Sequence, residues 1–211
     1  MHPHPFRTFA AAAIGYACGL IPSADIVTRL TARGADIHSQ GTGNPGALNV
    51  ANTLGAPAGT IVMVSDIAKG FVAGRLGRHI AGPAGANAAA TAAVVGHCFP
   101  VTNGFRGGKG VAASVGQVLA TFPPYFPLDL AVAAAAAANP RWKQRTFAAN
   151  SVASAVWVGA SLVWWRRRWP NGWGPAPTAS LPVGAAVSSA VIAWRFVDAQ
   201  RDSATAGAIA S

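Results

Sequence analysis

Charge is scarce in this 211-residue chain, and it leans one way: sixteen Lys and Arg face six Asp, and Glu is absent. Charged residues make up 10% of the sequence, against about 25% in a soluble domain. With no Glu and few Asp, a pair of acid–base carboxylates is a poor basis for any activity. The two cysteines, Cys18 and Cys98, lie in or beside apolar segments, where buried free thiols are the default. They define no redox compartment. No Cys/His cluster has metal-ligand spacing, and the apolar runs show no heptad or other fixed repeat.

What is abundant is apolar sequence, 52% of the chain. The runs 8–24, 37–65, 80–105, 110–128, 146–165 and 169–194 contain no Asp, Lys or Arg. A bilayer-spanning helix needs about 20 mostly apolar residues, and several of these runs qualify. A soluble Ala-rich helical protein would need charged outer faces at helical spacing, and the Ala-rich stretch 131–138 has no polar face. The formal charge of +10 would suggest nucleic acid in a soluble protein. Here the charges sit in short clusters between apolar runs, as the positive-inside bias of membrane proteins places them. The sequence therefore predicts an all-α, polytopic membrane helix bundle forming a single domain over 1–211, with no nucleic-acid partner. The N-terminal apolar run lacks an early small-residue cleavage pattern and reads as a retained helix.

In chain order, a first helix is expected at about 8–30. Pro22 and Ser23 offer a kink, Asp25 and Arg29 can pair on one face, and Arg29 with Arg33 marks an end. The stretch 34–52, GADIHSQGTGNPGALNVAN, is polar and glycine-rich but short of charge. Irregular backbone at membrane level survives only against protein or a water-filled cavity, so a site loop fits. A plain connecting turn is the alternative, since Gly and Asn favour turns. A second helix is expected at about 54–80, carrying Asp66 and Lys69 three residues apart. Charges inside a membrane helix are costly and face an interior or a partner. They form either a mutual ion pair or, for Lys69, part of an anionic site.

A third helix at about 84–101 delivers His97 to the stretch FPVTNGFRGGKGV, residues 99–111, and a further helix spans about 109–122. Pro123-Pro124 interrupts the run, so 128–138 is either a short span or half of a kinked one. Spans at about 147–165 and 181–197 follow, with basic clusters at 141–145 and 166–168 flanking the first of these. Trp164, Trp165, Trp169, Trp173 and Trp194 read as interfacial aromatic belts. The tail 198–211 reads as poorly ordered.

The stretch 99–111 concentrates chemistry. Glycines let backbone N–H groups approach a ligand, and Arg106 and Lys109 add positive charge. Phosphate is the ligand that suits such a loop, and a helix opening at Gly107–Gly110 adds its own affinity for anions. GGKG lacks the spacing and the following Ser/Thr of a P-loop. The second glycine-rich loop, 41–46, supplies Thr42, Gly43, Asn44 and Gly46. The expectation is that the two loops meet and hold a phosphorylated substrate at a membrane face.

Two motifs together, GTGNPGALN at 41–49 and GHCFPVTNGFRGGKGVA at 96–112, resemble the bacterial membrane acyl-phosphate:glycerol-3-phosphate acyltransferase family. Asp66-Ile67-Ala68-Lys69-Gly70 between them is similar to that family's second-helix pattern. The likeness runs from about residue 15 to residue 115. It implies about seven transmembrane helices, some short or broken, in the bacterial cell membrane, with the active site facing the cytoplasm. It implies acyl transfer from acyl phosphate to the 1-hydroxyl of glycerol 3-phosphate, with no acyl-CoA, no cofactor and no obligatory protein partner. On that frame Thr42, Asn44 and Asn49 orient substrate, and Gly107, Gly108, Lys109 and Gly110 form a phosphate cradle. His97 positions or moves a proton, and Gly43, Gly46, Lys69 and Arg106 join the binding site. The chain departs from the family's pattern at Thr42 (usually Ser), at Leu48 (usually Thr) and after Asn49, where Val50-Ala51-Asn52 replaces an expected Arg. At the C-terminus, Trp194-Arg195-Phe196 and Asp198 stand where the family has a His-Arg pair, an Asn and an acidic residue. Two other readings share these features: a relative that binds a phosphorylated lipid or metabolite without turnover, and a small transporter built on Asp66–Lys69.

Overall fold

A computed structural model describes residues 5–32, 36–138 and 145–209 of the chain. Regular structure among the described residues is entirely helical, in eight helices. They are α1 (Pro5–Gly19), α2 (Ser23–Thr31), α3 (Ala47–Leu54), α4 (Ala56–Cys98), α5 (Val111–Thr121), α6 (Phe126–Ala138), α7 (Arg145–Arg167) and α8 (Ser180–Ile209). Short 3-10 turns at Ile37–Ser39, Val101–Asn103 and Pro123–Tyr125 link some of them. Among the described residues, four helical segments are long and apolar enough to cross a membrane. The expected kink is present: α1 and α2 separate at Pro22, where the proline ring removes an N–H donor.

The longest element, α4, has 43 residues and would extend about 65 Å if straight, twice the apolar thickness of a bilayer. It does not run straight. Ala81 and Gly82 leave helical geometry immediately before Pro83, as the steric demand of proline on the preceding residue favours. The two halves fold back on each other, with Gly77 against Gly85 and Gly74 against Ala90. This hairpin returns the chain to its starting face, so Asp66 on the first half lies level with His97 on the second. Counting the two halves separately, α1 with α2 as one, and leaving out the eight-residue α3, the described residues form about seven membrane segments, in line with the polytopic bundle expected.

Packing is inverted relative to a soluble protein. The interior is filled by small residues, with Ala11, Ala73, Ala86, Ala89, Ala90 and Ala93 fully buried, while Phe6, Phe9, Leu30, Leu130 and Val183 are exposed. Small residues let backbones approach in a medium that gives helices no hydrophobic reason to associate. The crossing of α4 and α5 shows this: a Cβ on Gly116 would strike the carbonyl oxygen of Ile67. Polar side chains tie the same bundle together. Gln117 donates to Thr91 (3.0 Å) and accepts from Ser188 (2.7 Å), linking α4, α5 and α8. At the face away from the glycine loops, Asn171 donates to the Thr121 carbonyl (2.8 Å) and Trp173 to that of Leu119 (2.8 Å).

Three expectations differ from what is found. The loop expected over 34–52 ends earlier, because Ala47–Leu54 is helical and Val50 packs with Ile37 and Val62. Asp25 contacts His38 (2.9 Å) and makes no ion pair with Arg29. The tail expected to be unordered continues α8 through Ile209, as its alanines favour. Arg33, Arg141 and Lys143 lie outside the described residues.

Candidate active site

The ends of α1 and α4, the start of α2 and the two glycine-rich loops surround one cleft of about 40 Å³. Its lining includes Ser23, Asp66, Lys69, His97, Arg106, Gly107 and Gly108, with His38 and Pro45 from the first-loop side. Asp66 is the hub. Its Oδ1 accepts hydrogen bonds from Ser23 Oγ (2.7 Å) and Lys69 Nζ (2.8 Å), and His97 Nδ1 stands 3.6 Å away. All four residues are buried. Buried charges persist only when paired and hydrogen-bonded, so this cluster forms a neutralised floor beneath the loop. The ring of His97 lies against Gly108, where a side chain would collide with Nε2.

The second loop is tied down from several helices. Tyr16 donates its hydroxyl proton to the Phe99 carbonyl (2.8 Å) and accepts from the Val101 N–H (3.2 Å). The N–H of Gly107 donates to the Cys98 carbonyl and that of Gly108 to the His97 carbonyl, both at 3.1 Å. From α8, Arg195 donates through Nη2 to the Gly107 carbonyl at 2.7 Å. Gly110 precedes the first turn of α5 with φ +83°, in the left-handed region that glycine tolerates. A Cβ there would meet Cys98 Sγ at 2.6 Å and Ile192 at 3.2 Å.

Lys109 leaves this loop toward α8, with Nζ 4.8 Å from the centre of the Phe196 ring. Burial, and after it the charge of Arg195, lower its pKa. Among the described residues neither Lys109 nor Arg106 has a carboxylate within ion-pair distance. Two cations of one loop therefore lack carboxylate counterions among the described residues.

The first loop is organised differently. Asn49 is buried and serves the loop itself: Oδ1 accepts from the Thr42 N–H (2.9 Å), and Nδ2 donates to the Gln40 carbonyl (3.0 Å). Thr42 is exposed, and Asn44 is partly buried, with its amide beside Gly46. The cleft thus gathers Lys69, His97, Arg106, Gly107 and Gly108 of the expected site residues. Thr42, Gly43, Asn44, Gly46 and Asn49 stand outside its lining, and Lys109 and Gly110 form the α8 side of the loop. Sequence reasoning did not place Ser23, Tyr16 or Arg195 in the site. Ser23 had a signal in its place beside a helix-breaking proline. Tyr16 had none.

A family model described as glycerol-3-phosphate acyltransferase matches residues 9–203. The chain belongs to this family. The glycerol-3-phosphate acyltransferase of Thermoanaerobacter sp. (strain X514) is 43% identical over 121 residues, covering 57% of this chain and 61% of that protein. That of Bacillus velezensis is 44% identical over 119 residues, covering 56% and 61%. The chain spans about 61% of the length of these two relatives. The match to the Methylorubrum populi protein of the same name is longer, 38% identical over 183 residues, covering 77% of this chain and 86% of that one. Crystal structures of PlsY, an integral membrane glycerol 3-phosphate acyltransferase, share the fold. Its glycerol 3-phosphate and lysophosphatidic acid forms match with TM-scores of 0.73 and 0.72 at 26% identity, covering 94% of this chain and 92% of theirs. The family resemblance carried by residues 41–49 and 96–112 is thus borne out, as is the polytopic membrane fold. As a member of the glycerol-3-phosphate acyltransferases, the chain keeps the family's helical frame around a cleft whose floor is the Asp66 cluster.

Proposed function

We propose that this protein transfers a fatty acyl group from acyl phosphate to the 1-hydroxyl of glycerol 3-phosphate, releasing lysophosphatidic acid and inorganic phosphate. The observation that carries the reading is the loop 106–110: its glycine pair and Arg106 line the cleft, Lys109 stands on the α8 side, and among the described residues neither cation has a carboxylate counterion, in a glycerol-3-phosphate acyltransferase fold. Both substrates carry phosphate, and backbone N–H groups with neighbouring positive charge suit that group. The glycerol hydroxyl oxygen attacks the acyl carbon, and the bond from that carbon to the phosphate oxygen breaks. The departing phosphate takes the hydroxyl proton. An acyl phosphate is already activated, so the protein supplies orientation and charge stabilisation more than a strong base. This accounts for a cleft whose carboxylates, among the described residues, are Asp66, held by Ser23 and Lys69, and Asp25, beside His38.

In this reading Gly107, Gly108, Lys109 and Gly110 form the cradle, and Arg106 and Lys69 add charge on the cleft side. His97 supports the loop and is the titratable group nearest Gly108. Asn49 shapes the first loop, which presents Thr42, Gly43, Asn44 and Gly46. The protein acts as one domain in the bacterial cell membrane, with this cleft facing the cytoplasm. The test is purified protein in detergent given glycerol 3-phosphate with acyl phosphate or with acyl-CoA. Lysophosphatidic acid and phosphate formed in equal amounts from acyl phosphate alone is the expected result. Product only from the thioester, or binding of substrate without product, would overturn it.

A further inference from the structure

We propose that Arg195 is a positioning residue for the substrate phosphates, acting by fixing the backbone of the 107–110 loop from the side away from the cleft. The inference rests on the cradle reading above and goes beyond it, because it assigns a role to a residue of the last helix. Arg195 stands in the segment where this chain departs from its family's C-terminal pattern.

The guanidinium is held on every side. Nη2 donates to the Gly107 carbonyl at 2.7 Å, and Nε lies 3.5 Å from the Gly108 carbonyl. Nη1 pairs with the carboxylate of Asp198, one helical turn on. The plane of the group lies over Phe99, with 5.6 Å from its central carbon to the ring centre. The side chain is only 11% exposed. One Arg thus contacts both the start of the loop, at Phe99, and its glycine pair, which lies 87 to 88 residues from it in sequence.

The consequence follows from peptide geometry. Each peptide unit is planar and trans, so fixing a carbonyl fixes the N–H of the next residue in the opposite direction. The Gly107 carbonyl shares its plane with the Gly108 N–H, and that group donates to His97. The Gly108 carbonyl shares its plane with the Lys109 N–H, which has no hydrogen-bond partner among the described residues. Arg195 therefore sets the direction of an unused donor, the backbone N–H of Lys109. It also brings a third positive charge to the loop, beside Arg106 and Lys109, while its own donors remain engaged with the protein. Lysine cannot reproduce the arrangement, because a point charge lacks the planar fork that meets two carbonyls and a carboxylate together.

The test is steady-state kinetics of the full-length protein in detergent, with KM measured separately for glycerol 3-phosphate and for acyl phosphate, beside thermal unfolding. Arg195→Gln is expected to raise at least one KM by about tenfold, the equivalent of one misaligned charged hydrogen bond, with Arg195→Lys intermediate. Asp198→Asn, which frees Nη1 and leaves both carbonyl contacts, is expected to raise the same KM by about threefold. A purely structural role would lower the unfolding temperature and the yield of active protein and leave both KM values unchanged. Wild-type KM values in every variant that folds would overturn the proposal. Lys109→Ala separates the two levels. If it also has wild-type kinetics, the cradle reading fails. If it is impaired while the Arg195 variants keep wild-type KM values, only the role of Arg195 fails.

Discussion

The two glycine-rich loops reach the same face of the bundle by opposite routes. Residues 40–46 are secured locally: Asn49 bonds to groups seven, nine and twelve residues away, and Asp36 accepts from the His38 N–H. Residues 99–110 are secured from afar, by Tyr16 and Arg195 at separations of 83 to 88 residues. The first loop takes its hydrogen bonds from its own neighbours, within twelve residues. The second acquires its geometry only once α1, the α4 hairpin and α8 have assembled. Mutations in remote helices should therefore disturb the second loop and leave the first unaffected.

The largest effect is expected at the floor shared by these helices. Asp66→Ala leaves Lys69, 6% exposed, as an uncompensated buried charge, which costs about 3–5 kcal/mol. Thermal unfolding in detergent should show a fall of many degrees, and Asp66→Ala with Lys69→Met should recover most of it. Next comes Gly110→Ala, which places a side chain at φ +83° and against Cys98. Strain of about 1–3 kcal/mol, together with displacement of the loop, should lower kcat/KM on the order of 100-fold while the bundle stays folded.

Coupling sharpens the contrast between the loops. Tyr16→Phe removes the hydroxyl that bridges Phe99 and Val101, at about 1 kcal/mol. Tyr16 and Arg195 hold one loop, so the double variant of Tyr16→Phe with Arg195→Lys should be non-additive in kcat/KM by about 0.5 kcal/mol or more. Asn49→Ala should add independently to either change, and coupling of similar size there would contradict the local account of the first loop. The smallest effect concerns pH. Because burial and Arg195 lower the Lys109 pKa, its ammonium is lost on raising the pH earlier than that of an ordinary lysine. Lys109→Arg, which stays charged, should move the alkaline fall of kcat/KM to higher pH.

This contrast also explains what the sequence disclosed. Local features were legible. The break near Pro83, the kink at Pro22 and the pairing of Asp66 with Lys69 all follow from residues a few positions apart. The first loop's glycines were visible, but the helix Ala47–Leu54 was hidden, since its short run of Asn and Ala reads as turn until Val50 finds Ile37 and Val62. Remote features were less legible. The composition of the 107–110 loop signalled an anion, yet nothing in its residues names Tyr16 or Arg195 as its supports. Both act on backbone carbonyls, and a carbonyl acceptor leaves no mark on residue type. The meeting of Asp66 with His97 depended on the register of the α4 hairpin, which small-residue packing determines and motif spacing does not.

The most direct test of the central claim compares wild type with Lys109→Ala, following phosphate release and lysophosphatidic acid from acyl phosphate and glycerol 3-phosphate. The account predicts turnover by wild type and a loss on the order of 100-fold or more in the variant, the scale of removing one preorganised charge-stabilising donor, with folding intact. Turnover at the wild-type rate without Lys109 would contradict it, and would move the phosphate site away from residues 107–110.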